Sequence, residues 1–144
     1  MHRALVLVIV VAGAAGCSDS GTSNSALSAL SAPSAASLVT DTFSGTVDVG
    51  GLDIHPFTIT IANQPVNVTL TAAGPPSSIF MGLGVGSPAS DGTCSLFSNA
   101  AVVVQAGTGP HLAGTIAAGS YCVAVFDVGN QAAPVDYAVT VVHY

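Results

Sequence analysis

Phe57-Thr58-Ile59-Thr60-Ile61, then, across Ala62-Asn63-Gln64-Pro65, Val66-Asn67-Val68-Thr69-Leu70-Thr71 decide the fold class. Both runs alternate apolar and polar residues at period two, the signature of half-buried β-strands. Their short polar connection predicts a β-hairpin. Ile79-Phe80-Met81-Gly82-Leu83-Gly84-Val85-Gly86 alternates as well, with glycine on its second face, a sign of a bend or close backbone approach. Further strands are expected at 42–47, 94–97, 101–105, 112–116, 121–128 and 137–143. Gly50-Gly51, Gly74-Pro75-Pro76, Asp91-Gly92 and Gly129-Asn130 punctuate them as turns. Eight or nine short strands at this spacing predict an all-β, antiparallel two-sheet sandwich, each sheet having one wet face.

Outward from that core, the N-terminus is of a different kind. Arg3 precedes the apolar run Ala4 to Val11, then the small residues Ala12-Gly13-Ala14-Ala15-Gly16, then Cys17. The run is too short for a bilayer span, which needs ~20 apolar residues, and suits a signal peptide at residues 1–16. Ala14-Ala15-Gly16-Cys17 resembles a bacterial lipobox with alanine in place of the usual leucine. That resemblance implies cleavage before Cys17, lipidation of Cys17 and a membrane-anchored, exported protein. Ser18 after the cysteine, where aspartate would retain the protein at the inner membrane, favours the outer membrane of a Gram-negative envelope. Residues 17–38 are rich in Ser and Ala, a composition that cannot bury enough surface to order itself. They read as a flexible tether with a span of roughly 25 Å, leaving residues 39–144 as one sandwich domain.

Phe43-Ser44-Gly45-Thr46-Val47, Phe57-Thr58-Ile59 and Val66-Asn67-Val68-Thr69-Leu70 resemble the opening strands of the bacterial pre-peptidase C-terminal domain. Ala118-Gly119-Ser120-Tyr121-Cys122-Val123-Ala124-Val125 and Tyr137-Ala138-Val139-Thr140-Val141 are similar to its closing strands, and the likeness spans about 40–143. It implies a jelly-roll-like sandwich that serves secreted peptidases as a non-catalytic accessory; here no peptidase accompanies it. Relatives in that family can bind calcium near the start of the domain, which makes Asp41, Asp48 and Asp53 the calcium candidates, although no D-x-D-x-D run is present.

Composition excludes more than it identifies. The chain has one Lys or Arg, Arg3, against seven Asp and no Glu. Nucleic-acid binding and attachment to anionic lipid both need cationic side chains, so neither is expected. Arginine clamps and lysine Schiff bases are absent by inventory. Any charged partner should be cationic, and like charge favours a monomer.

Removing Cys17 to lipid leaves Cys94 and Cys122, an even pair in an exported domain, predicted to form a disulfide. A metal or redox role for them lacks a second thiol or histidine within a few residues. His55, His111 and His143 show no metal-ligand spacing and are expected to face solvent. Asp53-Ile54-His55 is the one close acid–histidine pair, and no G-x-S-x-G elbow exists, so the chain is read as no enzyme. Asp41, Asp48, Asp53 and Asp91 are expected in loops and turns. No cofactor is implied beyond that calcium option. The function expected is binding of a protein or polysaccharide at the cell envelope, with Phe80, Phe126 and Tyr144 as candidate exposed aromatics. The alternatives are a structural envelope or surface-coat lipoprotein and a small hydrolase. Sugar sites favour exposed aromatics, and this chain has no Trp.

Overall fold

A computed structural model describes residues 36–144; the signal segment, Cys17 and most of the expected tether lie outside them. Eight strands run in order: β1 (Val39–Val47), β2 (Leu52–Ile59), β3 (Gln64–Gly74), β4 (Met81–Pro88), β5 (Cys94–Val104), β6 (Leu112–Ile116), β7 (Gly119–Phe126) and β8 (Val135–His143). They form two four-stranded antiparallel sheets, β1-β8-β3-β6 (sheet 1) and β2-β7-β4-β5 (sheet 2). β1 pairs with β8, β2 with β7, β3 with β6 and β4 with β5. This is one long hairpin with its tip at β4–β5, rolled over so that on each arm successive strands alternate sheets: a jelly roll.

The rolling corrects one expectation. Phe57-Thr58-Ile59 and Val66 to Leu70 are strands, but β2 and β3 belong to different sheets and do not pair. Asn63, at φ 61°, turns the chain from one sheet to the other rather than closing a hairpin. β4–β5 is the hairpin between consecutive strands instead. Its turn is set by Asp91, whose Oδ1 accepts from the Thr93 amide at 3.0 Å and the Thr93 hydroxyl at 2.6 Å. Residues 94–97 and 101–105 belong to one strand, β5, interrupted by a bulge. Gly84 opposes Ala101, whereas Gly86 opposes Leu96, so residues 97–100 form the extra length of the bulge, with Ala100 packed against the core.

The core lies between the sheets, where inward residues of both interdigitate. Val139 and Val141 of β8 and Leu70 of β3 face Leu83 of β4 and Val123 and Val125 of β7, all fully buried. Along β8, Val135, Tyr137, Val139, Val141 and His143 are the buried members of a strict alternation. At roughly 25 cal/mol per Å² of apolar surface, each such side chain contributes about 1.5–3 kcal/mol.

Candidate functional site

The two outer faces of the sandwich differ. On sheet 1, Thr40, Thr42, Ser44 and Thr46 of β1 point outward. Thr42, Thr140 and Thr69 lie side by side across three strands. This is the wet face that alternation predicts.

Sheet 2 departs from it. Reading across β2, β7, β4 and β5, one outward row is Leu52, Phe126, Gly82 and Val103. The next is Ile54, Ala124, Gly84 and Ala101, and the third is Pro56, Cys122, Gly86 and Leu96. No outward side chain in these rows carries a hydrogen-bonding or charged group. Val103 is 57% exposed, Leu52 55% and Phe80, just beyond the first row, 47%. From strand spacing and rise, the face covers roughly 500 Å², the upper range for apolar patches on monomers. The expectation of a wet face on each sheet therefore fails for sheet 2. The reason is visible in β7: Tyr121 to Phe126 is apolar on both phases of the alternation.

The glycines of β4 make this face flat. A Cβ on Gly82 would enter the Phe126 ring, one on Gly86 would strike the Ser95 backbone carbonyl, and one on Gly84 would meet the Leu96 methyls at 2.9–3.0 Å. The vacated space lets Phe126 lie over Gly82, half-buried, and lets β5 fold over Gly86. There Cys94 and Cys122 form a disulfide with a Cα–Cα separation of 5.9 Å, spanning β4 on the outer side.

Between the sheets the polar residues pair. Tyr137 donates its hydroxyl to Asp53 Oδ2 at 2.7 Å, and its oxygen lies 2.6 Å from His55 Nε2. A carboxylate only accepts, so with the phenol proton on Asp53 the His55 Nε2–H donates to the phenol oxygen. Phe43 stacks on His55 at 4.8 Å between ring centroids. Gly45 keeps this room open, since a Cβ there would touch Asp53 and the Tyr137 hydroxyl. Burial, reinforced by the hydrogen bond to Asp53 and its charge, raises the Tyr137 pKa above its usual value.

His143 donates its Nε2–H to Asp41 Oδ2 at 2.9 Å and is 3% exposed. It does not face solvent as expected; it occupies the inward phase of β8 beside Phe57. His111 Nδ1 accepts from the Leu70 amide at 3.1 Å, so this imidazole serves the backbone. Asp41 and Asp53 stand on strands rather than in turns, because each has an inward partner; Asp48 and Asp91 do lie in turns. The three calcium candidates are not brought together: Asp41 serves His143 and Asp53 serves Tyr137. No group of three His, Cys, Asp or Glu side chains close enough to hold a metal occurs among the described residues. The histidines' hydrogen-bond partners are Tyr137, the Leu70 amide, Asp41 and the Tyr144 carbonyl, with no serine among them. Phe126 and Tyr144 are half-buried rather than exposed.

A second apolar recess, of about 260 Å³, opens between β6 of sheet 1 and β5 of sheet 2. Val66, Val68, Val85, Phe97, Leu112 and Ile116 line it. Asn99 and Ala100, in the β5 bulge, line it as well.

No family model matches the chain, and no curated protein matches it. Among solved structures it is similar to PliG of Salmonella Typhimurium, a periplasmic inhibitor of g-type lysozyme, at 18% identity and a TM-score of 0.45. That match covers 71% of this chain and 85% of the other. It is also similar to PliG of Aeromonas hydrophila, of the same description, at 13% identity and a TM-score of 0.43, over 72% and 86% of the two chains.

Proposed function

We propose that this chain is an exported binding module, held to the outer membrane through lipid on Cys17. Its non-catalytic sandwich docks a protein of the cell envelope on the outer face of sheet 2. Residues 1–16 act as the signal and 17–38 as the tether. The observation that carries the docking reading is the continuous apolar surface from Leu52 to Val103 and from Phe80 to Leu96. An apolar patch of this size on a water-facing sheet marks an interaction site.

The same observation favours a protein over a polysaccharide. Sugars present many hydroxyls, and burying those against a surface with no hydrogen-bond partner is unfavourable. A hydrolase reading lacks a nucleophile, because the imidazoles are tied to Tyr137, Asp41 and the backbone. A coat protein must self-associate, which an all-acidic domain resists.

The test is a photocrosslinking residue placed at Val103, or as control at the outward Thr42 of sheet 1, in the cell envelope. Protein adducts are expected from position 103 and not from position 42. Equal yields from both positions would refute the docking face.

A further inference from the structure

We infer that the partner of the sheet 2 face is a cationic protein surface: a flat apolar patch bordered by Lys or Arg at both ends. This rests on the docking reading above and adds the partner's charge and layout. Along the strands, a carboxylate lies just past each end of the face, Asp127 after β7 and Asp91 after β4. At one end Asp127 sits between Phe126 and Val128, its Oδ2 accepting from the Gly50 amide at 2.8 Å and its Oδ1 from the Gly129 amide at 2.8 Å. At the other, Asp91 occupies the β4–β5 turn, with Oδ1 bound by Thr93. The hydrogen bond from the Gly50 amide, then those from Gly129 to Gln131, hold Asp127 below its usual pKa. The Thr93 hydroxyl and amide do the same for Asp91. Both stay anionic at any physiological pH. An eight-residue strand separates them by roughly 25–30 Å.

The alternatives conflict with this layout. Two copies packed face to face set carboxylate against carboxylate whichever way the twofold axis runs, and no cation after Arg3 relieves it. An anionic membrane surface repels the same aspartates. A basic, apolar protein patch satisfies both parts of the face at once, with the charges setting orientation and encounter rate.

Calorimetric titration of the purified full chain with three extended peptides of equal length tests the inference: alternating Val/Lys, Val/Glu and Ser/Lys. Val/Lys is expected to bind at least about tenfold tighter than either of the others. Val103→Asp should weaken it by about tenfold or more. Asp91→Asn with Asp127→Asn should bring Val/Lys and Val/Glu to within about threefold; asparagine keeps the Oδ1 acceptor for Thr93 and for Gly129 and gives up only the Gly50 bond to Asp127 Oδ2, and circular dichroism checks that the variant keeps its fold. Equal binding of Val/Lys and Val/Glu by the unaltered chain would overturn the cationic partner and leave the docking face standing. Ser/Lys matching Val/Lys, with Val103→Asp silent, would overturn both. Failure of all three peptides to bind would also overturn the inference.

Discussion

The hydroxyl of Tyr137, on β8 of sheet 1, lies 2.7 Å from the carboxylate of Asp53, on β2 of sheet 2, which ties the two layers together through a single polar atom. His55 completes the bridge at 2.6 Å from the same oxygen. The raised pKa of Tyr137 fixes the sign of an alkaline effect. The folded state keeps the phenol proton where the unfolded chain releases it near 10.0. The contribution is therefore complete below pH 10 and is lost as the pH climbs from there toward the folded value. Ultraviolet titration should show a phase, that of Tyr137, in which a tyrosine ionises only with unfolding. Tyr137→Phe should abolish that phase and lower stability by about 1.5–3 kcal/mol, the worth of a hydrogen bond to a charged group. A Tyr137 that ionises reversibly in folded protein would contradict this.

The Cys94–Cys122 bridge closes a loop across a sequence separation of 28. Chain entropy then sets its contribution at about 3.5 kcal/mol. Urea unfolding of Cys94→Ser with Cys122→Ser should fall short of the unaltered protein by about that amount, with the sheets otherwise intact by circular dichroism. A difference near zero would mean that the pair is not oxidised in the protein.

Glycine on β4 is predicted to matter unequally. Gly86→Ala sets a methyl against the Ser95 backbone carbonyl, which moves only if β5 moves, and should cost about 1–3 kcal/mol. Gly84→Ala meets the far end of the Leu96 side chain, which can rotate away, and should cost less. Thermal melts of the two variants give the order directly; the reverse order would show that β5 does not fold over Gly86 as described.

Cys17 should carry lipid. An alkyne fatty acid fed to cells should label the unaltered chain and leave Cys17→Ser unlabelled, with the variant released from membranes. Equal labelling would remove the anchor from the proposed function.

The strands were legible in the sequence because a two-residue alternation is local: Phe57, Ile59, Val66, Val68 and Leu70 announce their inward faces without reference to the rest of the chain. Which strands pair was not, because it depends on β8 returning to β1 and β7 to β2. The polar turn at Asn63 looks alike whether the chain doubles back within a sheet or crosses to the other. His143 and Asp41 are 102 positions apart, so no spacing rule joins them. Its inward phase with Tyr137, Val139 and Val141 was nonetheless present as a signal that this imidazole is buried. The apolar outer face of sheet 2 left a trace too, in the unbroken apolar run Tyr121 to Phe126 and the glycines opposite it. Its meaning emerges only when four strands are set side by side.

The pairing of first strand with last has a bearing on the order of folding. β1 has one neighbour in its sheet, and that neighbour is β8; β2 likewise waits for β7. Neither pairing can form before its distant partner exists: β2 needs residues 119–126 and β1 needs residues 135–143. Long-range closure of this kind is slow, so the last strand of the chain sets the pace at which sheet 1 is completed. A chain ending before Val135 would leave β1 with no neighbour at all.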